Sequence, residues 1–228
     1  MKEPAVKLFH VDSSAKRDKS NSRALARHFI QSLRDQGVDL EIDYLDVSVD
    51  TPAHVDEAFA VATYRAPEDR TDEMKARLAD SDALCARMFE ADAFVFAMPM
   101  YNWSMPSAFK AFIDVVTRPA LTYKMTPDGN IVGQFNTQKT LFITTRGADL
   151  RPGNVFAGMD ALTPALKAAF GFIGVDAPTF VDAQPLQFSD AAAREAALIR
   201  AKAELDAVAS QWAAEEREKL DATESTTA

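Results

Sequence analysis

Apolar positions along the chain fall into short continuous runs that alternate with helical spacings. Residues 5–11 carry Val6, Leu8, Phe9 and Val11 and stop at the polar cluster Asp12-Ser13-Ser14. A continuous run of this kind predicts a parallel strand covered on both faces. Ser20-Asn21-Ser22 then opens a helical pattern of Leu25, Phe29, Ile30 and Leu33, with Gly37 as its stop. Residues 38–45 alternate Val38, Leu40, Ile42 and Tyr44 and predict a second strand nearer an edge. Strand, helix and strand in this order imply a right-handed parallel crossover.

The pattern loosens over residues 51–80. Pro52, Pro67 and scattered charges surround the apolar patch Phe59-Ala60-Val61, the mark of an insertion with a short helix. Residues 72–90 predict a longer helix, with Met74, Leu78, Leu84 and Met88 on overlapping faces. A third strand spans 91–98 and ends at Pro99. A helix over 105–118 carries Phe109, Phe112, Ile113 and Val116, with Pro106 near its first turn. The turn signal Pro127-Asp128-Gly129-Asn130 predicts a hairpin-like excursion over 120–138. Strands over 139–145 and 177–183 flank a helix over 159–171. Residues 190–219 form a terminal helix, and a disordered tail over 221–228 completes the reading. The alternation describes one doubly wound α/β domain over residues 1–220, with a five-stranded parallel sheet.

Composition narrows the partners. Across 228 residues, 25 Lys and Arg stand against 34 Asp and Glu, a net charge of −9. That balance argues against nucleic acid, whose binding needs a basic face. Cys85 is the only cysteine, so neither a disulfide framework nor a Cys-paired zinc site is expected. His10, His28 and His54 share no metal-ligand spacing, and no metal is expected. Residues 1–5 show no apolar secretory core, and no apolar run approaches the roughly 20 residues of a membrane span. A soluble cytoplasmic protein without a membrane partner is the expectation.

Ligands of doubly wound sheets bind beyond the carboxyl ends of the strands, where the strand order reverses. After the first strand, the loop from Asp12 to Ser22 runs into a helix N-terminus. Its serines, Asn21 and the cations Lys16, Arg17 and Lys19 suit an anion, although Ser20 or Ser22 could equally be a simple cap. The loop has no glycine, so neither a Walker loop nor a dinucleotide fingerprint is present, and a mononucleotide phosphate is the better match. After the third strand, Met100-Tyr101-Asn102-Trp103 lies between Pro99 and Pro106, apolar faces with one amide that suit a planar heterocycle. After the fourth, Thr144-Thr145-Arg146-Gly147 offers a glycine for close backbone approach, and Arg146 alone reads as a surface salt bridge.

In this order the motifs resemble the FMN-dependent NADH-azoreductases, flavodoxin-like homodimers that also reduce quinones. The resemblance rests on Ser13-Ser14 with Ser20-Asn21-Ser22, Pro99 to Trp103, Lys110-x-x-Ile113-Asp114, Thr144 to Gly147 and Phe170-Gly171-Phe172-Ile173-Gly174, and covers most of residues 5–185. It implies that Ser14, Ser20, Asn21 and Ser22 hold an FMN phosphate. Met100, Tyr101, Asn102 and Trp103 would line the flavin ring, and Thr145, Arg146, Gly147 and Ala148 would close its pyrimidine end. Ala148 stands where the family commonly has glycine, and Trp103 where it commonly has phenylalanine. The loop 149–154 lacks the family's usual histidine.

The resemblance further implies hydride transfer centred on the flavin, with NADH or NADPH as donor and flat azo compounds or quinones as acceptors, in two steps at one face. No separate catalytic acid–base pair is expected. Two other readings stay open: a quinone or nitro reductase without azo activity, and an FMN electron carrier of the flavodoxin type. The excursion over 120–138 favours an enzyme, since a carrier needs an exposed flavin edge.

Overall fold

A computed structural model describes residues 5–227. The first strand, β1 (Val6–Asp12), leads through a short 3-10 turn into α1 (Asn21–Asp35) and back to β2 (Leu40–Asp46). Segment 51–80 then carries α2 (Glu57–Tyr64) and the opening of α3 (Asp72–Glu90). Phe59 of α2 is buried, with the Arg77 guanidinium of α3 5.4 Å from its ring centre. Next come β3 (Ala93–Pro99), α4 (Ser107–Val116) and the hairpin strands β4 (Tyr123–Met125) and β5 (Ile131–Gly133). The chain closes with β6 (Lys139–Thr145), α5 (Leu162–Phe172), β7 (Thr179–Ala183) and α6 (Ala191–Thr227).

The main sheet is parallel, in the order β2-β1-β3-β6-β7, with β2 at one edge. Strand alternation sorts its side chains to two faces. Phe9, Phe94, Phe96 and Phe142 meet Phe109, Phe112 and Phe170 of α4 and α5 on one face. Leu8, Val95, Ala97, Leu141 and Ile143 meet Leu25, Phe29 and the alanines of α1 and α6 on the other. The aromatic face fills a deep space with large rings. The alanine face lets Ala201, Leu205 and Ala209 bring α6 close to α1, where His28 Nε2 lies 2.8 Å from Asp206. Cys85 is fully buried on α3, and burial pushes its thiol up to about 12.

Two features depart from the sequence reading or add to it. The terminal helix does not stop at 219 with a disordered tail over 221–228; α6 continues to Thr227, and its sequence holds no Gly or Pro to break it. Ala228 and residues 1–4 lie outside the described residues. The hairpin is anchored at its base by two glycines: a Cβ on Gly133 would stand 2.0 Å from the backbone nitrogen of Gly174. Gly174 itself has φ +108°, a conformation that favours glycine. Phe135 N–H donates to the Ile173 carbonyl at 2.9 Å beside this crossing. Among the described residues no helix is long and apolar enough to cross a membrane.

Candidate functional site

The strand order reverses between β1 and β3, so the loops leaving β1, β3 and β6 diverge around one cleft. It encloses about 320 Å³. Ser14, Lys16, Lys19, Ser20 and Asn21 form one wall; Pro99, Met100 and Tyr101 form the floor; Thr145, Arg146 and Gly147 form the other wall. A fourth segment that sequence reasoning missed closes it: Leu186 and Gln187 after β7, and Arg194 from α6. The end of the last strand was the available signal, by the same strand-end rule that located the other three loops.

At the β1 end, Ser13 N–H donates to Ala97 O at 3.1 Å, which carries the sheet pairing one residue past the strand. Ser13 and Ser14 are buried. Arg17 adopts φ +46° in the turn before Ser20, whose hydroxyl caps α1 by accepting Arg23 N–H at 3.4 Å. The Ser20 and Ser22 hydroxyls lie 3.1 Å apart. Ser22 is fully buried and supports Ser20 from behind rather than lining the cleft.

Behind this loop lies a charge network centred on the buried Arg23 and Asp12. Arg23 NH2 donates to the Ser14 carbonyl at 2.7 Å and to Asp46 Oδ1 at 2.8 Å. Arg23 NH1 lies 2.7 Å from Asp46 Oδ2 and donates to Tyr44 Oη at 2.9 Å, which in turn donates to Asp12 Oδ2 at 2.9 Å. His10 Nε2 stands 3.3 Å from Asp12 Oδ1. Burial alone would raise the Asp46 carboxyl, but hydrogen bonds from Arg23 and Ser48 outweigh it and hold the group below the usual carboxylate range. Burial disfavours the charged Arg23 as well; Asp46 and Asp12 more than offset this and raise its pKa.

The β3 loop is built differently. Met100 N–H donates to Thr145 O at 2.8 Å, while Tyr101 and Ser104 exchange backbone bonds of 2.9 and 3.0 Å. Between them Asn102 and Trp103 have φ +47° and +71°. Asparagine tolerates this region; a tryptophan there stores about 1–2 kcal/mol. Such strain clusters at ligand sites. Asn102 is exposed, and Trp103 packs against Phe156 with ring centres 5.5 Å apart. Neither lines the cleft as it stands, so Met100 and Tyr101 are the members of this loop that do.

At the β6 end the sequence reading of Arg146 as a surface salt bridge is corrected. Arg146 is 3% exposed, and its guanidinium serves Asp160 at 2.7 Å, Thr163 at 2.6 Å and Asp182 at 3.1 Å. Two acidic partners on separate elements pull it inward. Burial opposes ionisation of Asp160, and bonds from Thr163 and Arg146 still hold its carboxyl low. The clearance at Gly147 is taken by protein rather than left for a ligand: a Cβ there would meet Gln187 Cβ at 3.2 Å. Ala148 is buried and does not reach the cleft. Tyr123, on the hairpin, packs edge-on to Phe172 with centres 4.6 Å apart.

A larger hollow of about 500 Å³ lies between α3 and the loop after α4. Its wall holds Arg70 and Arg118 together with Asp82 and Glu90, Arg118 lying 2.9 Å from Asp82, so its charges compensate. The strand-end cleft has Lys16, Lys19 and Arg194, besides the Arg146 already paired with Asp160 and Asp182, and no carboxylate lines it. In a chain of net charge −9, that is a local anion site. The buried Ser13 hydroxyl beside it has no hydrogen-bond partner, as expected where a polar ligand completes the set. Dianionic phosphate on a mononucleotide fits these donors.

The comparisons with known proteins agree with this architecture. A family model described as flavodoxin-like fold matches residues 6–208, which defines the class. An FMN-dependent NADH:quinone oxidoreductase of Trichormus variabilis is 36% identical over 205 residues, covering 90% of this chain and 99% of that protein. One from Bordetella petrii is 34% identical, over 89% of this chain and 95% of its own length. Among solved structures, an azoreductase from Bacillus anthracis superposes with a TM-score of 0.81 at 22% identity, over 90% of this chain and 99% of that one. A Bacillus anthracis FMN-dependent NADH-azoreductase in complex with FMN gives 0.79 at 22%, over 91% and 99%. The chain belongs to the FMN-dependent NADH:quinone oxidoreductase family.

Proposed function

We propose that the protein is an FMN-dependent NAD(P)H oxidoreductase that reduces quinones and azo compounds in two half-reactions at one site, acting as a cytoplasmic homodimer. The observation that carries this reading is the strand-end cleft lined by Lys16, Lys19, Arg146 and Arg194, with no carboxylate and an unpartnered buried serine hydroxyl beside it. Ser14, Ser20 and Asn21 would hold the FMN phosphate, with Ser22 fixing Ser20, and the first N–H groups of α1 would add donors. Met100 and Tyr101 would face the flavin ring. Asn102 and Trp103 would border it through the left-handed turn that presents their backbone. Thr145, Arg146 and Gly147 would close the pyrimidine end, with Ala148 setting that wall from behind.

Bound there, FMN would supply the two-electron redox chemistry between NAD(P)H and a flat acceptor. The chain's task is to bind, orient and leave one ring face open to both partners in turn. The apolar hairpin residues Met125, Ile131 and Val132 are exposed, which supports pairing with a second copy. Sedimentation of the purified protein tests the dimer.

The activity is tested by colour. The purified protein should be yellow, bleach on NADH under anaerobic conditions and recolour when a quinone is added. The released flavin should be FMN. Bleaching without sustained NADH consumption in the presence of acceptors would make the protein an electron carrier, and failure to take up FMN would remove the reading altogether.

A further inference from the structure

Arg23 lies in the first turn of α1 and is 6% exposed, and it does not itself line the cleft. Its guanidinium instead joins three elements. It reaches the loop after β1 through the Ser14 carbonyl at 2.7 Å, the end of β1 through Asp12 at 3.4 Å, and the end of β2 through Asp46 at 2.7 Å and Tyr44 at 2.9 Å. Ser48 Oγ accepts a further bond at 3.0 Å. The planar fork of arginine can serve several acceptors at once, which an ammonium cannot do in the same geometry.

Two consequences concern the anion site. The Ser14 peptide is trans, so fixing its carbonyl on Arg23 turns the Ala15 N–H the opposite way, away from the network. Ser14 itself lines the cleft. The second consequence is electrostatic. Asp12 and Asp46 place two carboxylates directly behind a loop suited to a dianion, and the Arg23 charge compensates them at hydrogen-bond distance.

We propose that Arg23 is a positioning residue for phosphate recognition: it sets the Ser13–Ser14 loop and neutralises Asp12 and Asp46, so that the site selects FMN over unphosphorylated riboflavin. The inference rests on the flavin reading of the cleft. It assigns the selectivity to a residue that does not touch the ligand.

The test titrates apo-protein with FMN and with riboflavin, following flavin fluorescence, for wild type, Arg23→Gln and Arg23→Lys. Arg23→Gln should weaken FMN at least about tenfold, the scale of one charge-assisted hydrogen bond, and leave riboflavin affinity within about twofold. Arg23→Lys restores the charge but not the fork, and should recover part of the FMN affinity. Should Arg23→Gln fail to fold, Arg23→Lys carries the test alone, with an FMN-to-riboflavin ratio reduced at least about threefold. An unchanged ratio in a folded variant, or parallel loss of both flavins, would overturn the inference, because a purely structural role weakens both alike. A wild-type protein that binds riboflavin and FMN equally would also overturn it while leaving a flavin site in place. Failure of wild type to bind either flavin would remove the flavin reading itself, and this inference with it.

Discussion

At the Ser14 end of the cleft, a network centred on the buried Arg23 and Asp12 bonds groups 11 to 34 residues apart in sequence. At the Asn102 end, one exposed amide and one half-buried indole sit on a turn whose backbone closes on itself within four residues. The first end is defined by side chains and the second by main chain. A site built from a long-range charge network is rigid and intolerant of substitution, since removing one member strands the others in a dry environment. A site built from a strained turn depends on backbone conformation, and its side chains are freer to change. That difference orders the expected effects of mutation.

The largest effect should come from Arg23→Met. It leaves the buried Asp12 and the half-buried Asp46 without their cation, and breaking a buried pair costs about 3–5 kcal/mol. Urea unfolding of the apo-protein measures it. A loss under about 1 kcal/mol would mean that the network is a surface-type pairing, and the contrast between the two ends would fail.

The same network should make stability depend on acid. The Asp46 carboxyl is held below its ordinary value by Arg23 and Ser48 against the opposing effect of burial. A carboxyl depressed in the folded state contributes stability above its unfolded pKa, about 3.9 for aspartate, and loses it as pH falls through the folded value. Wild type should therefore exceed Asp46→Asn in urea midpoint at pH 7, and the gap should close as pH drops below about 4. A gap that stays constant across this range would assign the Asp46 effect to packing.

At the other end, Asn102 has φ +47°. Asn102→Ala should be less stable than Asn102→Gly by about 1 kcal/mol, since only glycine takes this conformation without a Cβ penalty. Thermal unfolding of the two variants measures the difference. Both variants lose the amide, and flavin titration should show a weakening smaller than that of Arg23→Gln. An Asn102→Ala protein with wild-type flavin affinity and turnover would remove Asn102 from the site.

Much of this was legible from periodicity. Apolar runs, with an alternating pattern for the edge strand over 38–45, located the strands of the main sheet, and Pro127-Asp128-Gly129-Asn130 located the hairpin turn, because these signals are local. The strand-end rule led to three of the four cleft segments. What stayed hidden was pairing between distant residues. Arg23 reads in sequence as one more polar residue in a first helical turn; nothing near it announces Asp12, Tyr44 or Asp46. Arg146 reads as a surface charge for the same reason, since Asp160 and Asp182 lie on other elements. Ser22, Asn102 and Trp103 follow from the strand-end loops and Ala148 from the motif, and both give position along the chain without saying which way a side chain turns.

The smallest effect should come from the rim. Lys16 and Lys19 line the cleft but are exposed, so water and salt already screen them. Exposed charges of this kind contribute below about 1 kcal/mol. Lys16→Ala and Lys19→Ala should each weaken FMN only a few-fold at low salt. Raising salt from about 0.05 M to about 0.5 M shortens the screening length well below 10 Å and should erase that difference. The loss in Arg23→Gln should persist under the same conditions, because Arg23 and Asp12 are buried and screened far less than the rim. Flavin titrations at the two salt concentrations separate the cases. If the lysine variants lose as much affinity as Arg23→Gln, and keep that loss in high salt, then the rim rather than the buried network carries phosphate recognition.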